Sequence, residues 1–226
     1  MCGRYTLTKL SEDDARALGI TLPTNLIARY NIAPSQVVPV IRTFSPSNDR
    51  ILDQMRWGLS PSWMGSAPSK PKPINTRAET ILEKPMFRKA FVQRRCIIPA
   101  DGYYEWKKTS SGKQPYYFTN KDNTLLCFAG IWETAADESP TFSIITTSPN
   151  SVAAKIHNRM PVILDSKSCS TWLGINDAGV SKLTDLLVPS PDDSLVCHPV
   201  SRAVNSPAND SPECIREQTS EDRDLL

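Results

Sequence analysis

The chain has 226 residues, with 39% hydrophobic and 22% charged side chains and a formal net charge of +2 at pH 7. This length suits one large domain or two small ones and is sufficient to bury a core. No stretch reaches the roughly 18 apolar residues of a transmembrane helix, and the N-terminus lacks signal-peptide character, so we expect an unexported protein without membrane spans. The six cysteines include no C-x-x-C pair, so no metal site, cofactor or disulfide framework is expected.

The charge is divided unevenly along the chain. Residues 1–113 contain 18 Lys and Arg against 9 Asp and Glu, whereas residues 114–226 contain 8 against 15. This asymmetry is compatible with a basic face that would attract a polyanion such as nucleic acid. The alternative is that folding intermixes the two signs.

The first half is predicted to contain one helix and several short strands. Ser11 is a typical N-cap, acidic residues follow it and Gly19 can end the helix, so the pattern predicts a helix over Ser11–Leu18. The Pro- and Ser-rich stretch between residues 33 and 73 contains apolar runs that predict strands at Val37–Ile41 and Ile51–Leu59.

The second half is predicted to mix strands and helices. Apolar, aromatic or β-branched runs between turn residues predict strands over Arg95–Pro99, Tyr116–Thr119, Leu125–Trp132, Phe142–Thr147 and Pro161–Leu164. Helices are predicted over Asn150–His157, Ser166–Leu173 and Val180–Leu187. There is no βαβ alternation, so we expect an α+β fold with a curved, largely antiparallel, barrel-like sheet and short flanking helices.

The domain is expected to span residues 2–204. Residues 205–226 carry six acids, two arginines and two prolines with almost no apolar pattern. This composition predicts a mobile, disordered acidic tail.

Cys2 is the first candidate for chemistry. Removal of Met1 before a small residue would leave cysteine with a free α-amine, whose reference pKa of about 7.7–8.0 makes it a nucleophile near neutral pH. Such an amine can condense with an aldehyde, and the neighbouring thiol can then close a thiazolidine ring. By position alone, an incidental small residue at a disordered end is the commoner case.

Other candidates are spread along the chain. His157, at a predicted helix end, could move a proton, and Arg159 could hold a phosphate. Glu105 lies between aromatic residues, where desolvation would raise its pKa and make it a usable acid. Asn75 and Arg77 would point the same way from a strand and could hold a phosphate. Trp63 could stack on a base. Each of these residues also has an ordinary structural interpretation.

Seven motifs occur in a specific order: Met1–Tyr5, Arg29–Pro34, Trp57–Leu59, Ile74–Glu79, Ala100–Lys107, Ile156–Pro161 and His198–Ser201. In this order they resemble the SRAP family, the SOS response-associated peptidase or abasic-site processing proteins. The resemblance spans about residues 2–204. It implies a single SRAP domain that loses Met1, by self-processing, and traps abasic sites in single-stranded DNA through a thiazolidine link to Cys2.

The resemblance also implies roles for individual residues. Cys2 would be the nucleophile, Asn31 would orient the Cys2 end or the sugar, Glu105 would be the acid/base that opens the sugar, and His157 would stabilise the opened sugar hydroxyl. The implied DNA contacts are Arg4, Trp63, Asn75, Arg77, Trp106, Thr146 and Arg159. The protein would be a monomer without a membrane partner, cytoplasmic and nucleoid-associated in a bacterium or nuclear in a eukaryote.

Two other functions are compatible with the sequence. The chain could be a cysteine peptidase that acts on other proteins through Cys2, His157 and Asn31, although a peptidase thiolate need not be N-terminal. It could also be a non-covalent reader of modified or single-stranded DNA.

Overall fold

Thirteen β-strands and five short α-helices form the described part of the computed structural model, which comprises residues 2–44, 47, 49–65, 72–110, 112–174 and 179–218. The strands are β1 (Tyr5–Leu7), β2 (Arg29–Ile32), β3 (Val37–Phe44), β4 (Asp49–Trp57), β5 (Asn75–Arg77), β6 (Arg95–Ala100), β7 (Gly102–Thr109), β8 (Gly112–Asn120), β9 (Leu126–Thr134), β10 (Pro140–Thr147), β11 (Met160–Pro161), β12 (Ile163–Leu164) and β13 (Leu195–Pro199). The helices are α1 (Glu12–Leu18), α2 (Pro85–Gln93), α3 (Ser151–Ala154), α4 (Ser166–Leu173) and α5 (Val180–Asp185).

A five-stranded barrel lies at the centre of the fold. Its strands follow the closed order β10-β4-β3-β6-β9, and β9 returns to pair with β10. The β4–β10 pairing is parallel, with Trp57 opposite Phe142, and the other four pairings of the barrel are antiparallel. Because closure removes free edges, the barrel is a rigid base for the elements around it.

The two faces of the barrel strands are buried in different clusters. Along β6, Cys96 and Ile98 point into the cluster that contains Trp57, whereas Ile97 points into a second cluster with helices α2 and α4. This alternation follows from the two-residue period of a strand. β6 is therefore apolar on both faces.

A second sheet, in the order β13-β8-β7-β1-β2, covers one side of the barrel. β1 lies in its interior, paired with β7 through Tyr5 and Tyr103 and with β2 through Tyr5 and Ile32. β7 begins at Gly102, where a Cβ atom would lie 2.4 Å from the Phe118 carbonyl oxygen, so a side chain would not fit there. The pairing of β1 on both sides fixes the N-terminal segment within the fold.

The α+β, largely antiparallel, barrel-like fold predicted from the sequence is confirmed. Both ends of α1 agree with the prediction. Ser11 and Asp14 form a reciprocal capping box at its start, and Gly19 ends it with a left-handed φ of 68°. Two helix predictions were too long: α3 covers only Ser151–Ala154 and α5 ends at Asp185. The predicted strand Pro161–Leu164 is divided between β11 and β12, which pair with different strands.

The expected disordered tail is wrong for residues 205–218. Residues 204–218, here called the C-terminal strap, pack on the second sheet with Val204 and Cys214 buried. The Asp210 carboxylate accepts hydrogen bonds from the backbone N–H groups of Tyr30 and Asn31, and Val200 forms a β-bridge with Glu217. Residues 219–226 lie outside the described residues.

Candidate active site

The N-terminal segment places Cys2 next to the barrel. Cys2 is fully buried in the cluster that also contains Tyr5 and Tyr103. Asn75, on β5, donates a 2.8 Å hydrogen bond from its side-chain nitrogen to the Cys2 carbonyl oxygen. Burial raises the pKa of the Cys2 thiol above its usual value, and the nearby Glu105 raises it further. The thiol is therefore neutral in this environment, and its backbone is held by Asn75.

Glu105 and His157 meet beside this segment. Glu105 lies on β7 and is 3% exposed, and burial raises its pKa to about 7. His157 follows α3, and its Nε2 atom lies 4.0 Å from Glu105 Oε2. The backbone N–H of Arg159 donates to His157 Nδ1 at 3.1 Å, and burial lowers the pKa of the His157 ring. A neutral ring with its proton on Nε2 therefore faces a carboxyl group that can exchange a proton near pH 7.

Asn31 and Arg4 are joined to each other and to the strap. Arg4 Nη1 donates to Asn31 Oδ1 at 2.8 Å and to the Val204 carbonyl oxygen at 2.7 Å. The Asn31 side-chain nitrogen donates to the carbonyl oxygens of Val204, Ser206 and Asn209. Asn31 is fully buried, and its side chain holds both Arg4 and the strap.

A cleft of about 790 Å³ opens over Glu105 and His157. Its walls are formed by Arg4, Glu105, Trp106, Lys107, Lys108, Lys113, Ile156, His157, Asn158 and Asn205. Four of these side chains are basic and one is acidic, so the cleft favours an anionic ligand. The predicted residues Arg4, Glu105, Trp106 and His157 are thus brought together.

The lysines of the β7–β8 hairpin were missed as site residues. Lys108 lies directly opposite Lys113 in the register of the two strands. The available sequence signal was the pair of lysines on either side of the sequence Thr-Ser-Ser-Gly, because opposite positions of a hairpin place like charges side by side. An anion bound between them would offset their repulsion.

Four of the remaining predicted contacts lie on or beside β5, β10 and β11: Asn75, Arg77, Thr146 and Arg159. Arg77 lies opposite Thr146 in the parallel β5–β10 register. Arg159 donates two hydrogen bonds to the Glu79 carboxylate, at 2.6 and 2.9 Å, and one to the Thr146 carbonyl oxygen at 2.6 Å. Asn75 and Arg77 flank the buried Thr76 and point away from it, as their spacing predicted.

Thr146 and Trp63 differ from the other predicted DNA contacts in their exposure and position. Thr146 is fully buried, and its carbonyl oxygen accepts a hydrogen bond from Arg159. Trp63 lies in a one-turn 3-10 helix at Ser62–Met64, is 68% exposed and does not line the cleft. A large exposed indole of this kind is available to stack on a base.

Two further observations concern metal binding and membrane-spanning helices. Within the described residues, no group of three or more His, Cys, Asp or Glu side chains could hold a metal ion. None of the described helices is long and apolar enough to cross a membrane.

The family profile named SOS response associated peptidase (SRAP) matches residues 1–207. The chain belongs to the SRAP family. SRAP relatives include the abasic site processing proteins YoqW and YoaM of Bacillus subtilis (strain 168). YoqW is 42% identical, covering 95% of this chain and 99% of its own, and YoaM is 41% identical, covering 95% and 97%. The abasic site processing protein HMCES of Gallus gallus is 34% identical over 82% of this chain and 65% of its own.

Solved structures share the SRAP architecture. A crystal structure of a protein from Bacteroides thetaiotaomicron superposes with a TM-score of 0.84 and 27% identity, covering 96% of this chain and all of the other. A protein from Bordetella bronchiseptica gives a TM-score of 0.74 and 28% identity, covering 88% of this chain and all of the other. The similarity thus includes the barrel and the second sheet.

Proposed function

We propose that this SRAP protein processes abasic sites in single-stranded DNA by trapping their aldehyde on Cys2 once Met1 is removed. The names of the YoqW, YoaM and HMCES relatives support the substrate class. The basic cleft over Glu105 and His157 supports a DNA ligand. No base-edge readout is needed, because the lesion lacks a base and the remaining contacts are with phosphates and stacked bases.

The chemistry proceeds in three steps. Glu105 exchanges protons with the closed sugar so that the C1 hydroxyl proton leaves and the ring oxygen gains one, which opens the hemiacetal to an aldehyde. The Cys2 amine then adds to the aldehyde carbon, and loss of one water gives an imine. Finally the Cys2 sulfur adds to the imine carbon, the C=N electron pair moves to nitrogen, and nitrogen takes the proton that sulfur releases.

One observation carries this proposal: Glu105, with a pKa of about 7, lies 4.0 Å from His157 and close enough to Cys2 to influence its thiol. Opening a hemiacetal requires a group that can both give and take a proton at neutral pH. An ordinary surface carboxylate is almost fully ionised at neutral pH and is therefore a poor acid. His157, with a proton on Nε2, is placed to donate a hydrogen bond to the sugar hydroxyl that is released.

DNA binding is assigned to the basic and aromatic residues around the cleft. Arg4 and Trp106 lie at its wall, with the Arg4 guanidinium carbon 5.9 Å from the Trp106 ring centroid. Arg77 and Arg159 extend the basic surface along the β5 edge, and Trp63 supplies an exposed ring for stacking. Asn75 holds the Cys2 carbonyl and so positions the nucleophile.

Intact-mass analysis tests the proposal. After mixing with a single-stranded oligonucleotide that carries one abasic site, we expect a species with the mass of processed protein plus oligonucleotide minus one water. Cys2→Ala should abolish the stable species, whereas Cys197→Ala, which removes a half-buried thiol of β13, should leave it unchanged. No covalent species with the wild type, or one unaffected by Cys2→Ala, would refute the proposal.

Extending the chain before Cys2 separates this function from proteolysis of other proteins. A fused segment that is not removed keeps the Cys2 nitrogen in an amide, so aldehyde capture should be lost. A peptidase that uses only the thiolate would retain its activity. Retained DNA binding without any covalent product in the unextended protein would instead indicate a non-covalent reader.

A further inference from the structure

Two fully buried tyrosine hydroxyls near Cys2 have no role in the mechanism described above. Tyr5 and Tyr103 are both 0% exposed, and among the described residues neither hydroxyl oxygen has a hydrogen-bond partner. Because a buried hydroxyl without a partner destabilises the folded state, each such group calls for an explanation. A ligand or intermediate that supplies the missing partner is one explanation.

Tyr103 is the better placed of the two. Residues two apart on a strand share a face, so Tyr103 points to the same side of β7 as Glu105. Tyr5 lies directly opposite Tyr103 on β1, and the same apolar cluster contains Cys2. Tyr104 points to the other side of β7, where its hydroxyl donates a 2.6 Å hydrogen bond to the Tyr30 carbonyl oxygen.

Glu105 affects the pKa values of both Tyr103 and Cys2. Burial raises the pKa of Tyr103 well above its usual value, and the charges of Cys2 and Glu105 raise it further. The pKa of the Cys2 thiol is raised by burial and by Glu105 in the same way. The three groups therefore share one poorly hydrated region, where negative charge on sulfur is costly without a hydrogen-bond donor.

Negative charge develops on the Cys2 sulfur when the thiazolidine ring closes. The sulfur must give up its proton and attack the imine carbon while it is shielded from water. Glu105 can accept protons, but it cannot donate to the sulfur once it is ionised. A neutral phenol with a strongly raised pKa keeps its proton and remains a donor throughout.

We propose that the Tyr103 hydroxyl donates a hydrogen bond to the Cys2 sulfur during closure of the thiazolidine ring. The inference rests on the proposed function and deepens it. The S–C bond forms as the C=N bond becomes single, the thiol proton ends on the ring nitrogen, and Tyr103 neither gains nor loses a proton. Imine formation occurs at the Cys2 nitrogen and does not involve this hydrogen bond.

The test is the substitution Tyr103→Phe, with the two covalent steps measured separately. Borohydride reduces an imine to a stable amine and does not reduce a thiazolidine, so timed quenching reports each species. We expect unchanged imine formation, closure slowed by about tenfold or more, and a transient accumulation of reducible imine. The melting temperature should be equal or higher, because an unpartnered hydroxyl is removed.

Tyr104→Phe is the matched control. It deletes the same hydroxyl from the neighbouring residue, but on the opposite face and with a bonded partner, so we expect a lower melting temperature and wild-type closure. Wild-type closure in Tyr103→Phe would overturn the inference. Equal slowing of imine formation and closure together with a lower melting temperature would also overturn it, as a structural effect. Absence of any covalent species with the wild type would refute the proposed function itself.

Discussion

His157 Nε2 lies 4.0 Å from Glu105 Oε2, while the Arg159 backbone N–H donates to the other ring nitrogen. The bond from Arg159 leaves the ring proton on Nε2, so the histidine presents a donor to the carboxyl group. A raised carboxyl pKa and a lowered imidazole pKa keep both groups neutral over part of the pH range around neutrality. The pair can therefore pass protons without holding an ion pair at the bottom of the cleft.

The pH dependence of capture should report the state of Glu105. Protonated Glu105 acts as the acid below its pKa of about 7, whereas the Cys2 amine becomes a nucleophile as pH approaches about 7.7–8.0. We expect the capture rate to rise to a maximum near pH 7–8 and then fall. Glu105→Gln should be about a hundredfold slower and lack the alkaline fall. Capture rates measured across this range check the prediction, and an alkaline fall retained in Glu105→Gln would contradict it.

The same carboxyl group should make stability depend on pH. The pKa of Glu105 is about 7 in the folded protein and near 4.5 in the unfolded chain, so between these values the folded state binds more protons. The free energy of unfolding therefore falls as pH rises through this window, by up to roughly 3 kcal/mol. We expect Glu105→Gln to lack this component. Urea unfolding of both proteins at several pH values tests it, and a difference that stays constant with pH would be the contrary result.

Lys108 and Lys113 should contribute to DNA affinity without sequence preference. The two lysines lie opposite each other in the strand register and line the cleft, where a phosphate would neutralise them. We expect the double substitution Lys108→Gln and Lys113→Gln to weaken single-stranded DNA binding and to reduce the salt slope by about 1.4. Fluorescence anisotropy at several salt concentrations measures both quantities. Lys182→Gln, on α5 and outside the cleft lining, is the control, and an equal effect there would argue against a specific role for the hairpin.

Glu79 should restrain Arg159. Its carboxylate accepts two hydrogen bonds from the Arg159 guanidinium, and that contact lowers the pKa of Glu79. Glu79→Gln removes a negative charge and frees the cation, so we expect several-fold tighter binding of single-stranded DNA and a salt slope steeper by about 0.7. Arg159→Gln should have the opposite effect. Weaker binding by Glu79→Gln, with unchanged thermal stability, would show that the pair is needed intact.

Asp210 should anchor the strap. Its carboxylate accepts hydrogen bonds from the backbone N–H groups of Tyr30 and Asn31 and forms an ion pair with Arg29. Asp210→Ala leaves these donors without a partner, so we expect a loss of about 2–4 kcal/mol in the free energy of unfolding. Glu213→Ala is the control, because the ion pair of Glu213 with Arg216 is exposed and its loss should cost less than about 1 kcal/mol. Comparable losses in both variants would show that Asp210 has no special role.

Local sequence patterns were sufficient to predict many of the helices and strands. Ser11 and Gly19 specify the ends of α1 through contacts within the helix itself, and the α4 prediction matches Ser166–Leu173. Helix α2 was missed, although Pro85 begins it and Phe87, Ala90 and Phe91 have helical spacing. β13 was missed as well, because its partners lie far away in the sequence, from Leu195 opposite Asn120 to Pro199 opposite Tyr116 on β8.

The site was only partly accessible to sequence analysis. Glu105 and His157 could be named because of their residue types and motifs, but their 4.0 Å separation depends on tertiary folding that brings residues 52 apart in the sequence together. The burial of Thr146 and Asn31 follows from sheet pairing and from the strap, which no local pattern reports. The strap looked disordered because it is held by single long-range contacts, such as those of Asp210, rather than by a periodic apolar face.

Arg4 and Asn31 hold the strap by donating side-chain hydrogen bonds to backbone carbonyl oxygens, those of Val204, Asn205, Ser206 and Asn209. Every amino acid carries that oxygen, so replacing Ser206 by another residue leaves its acceptor in place. An insertion or deletion between Val204 and Asn209 would move several acceptors at once. We therefore expect substitution of the exposed Ser206 to be tolerated, whereas a change in the length of this segment would break several hydrogen bonds together.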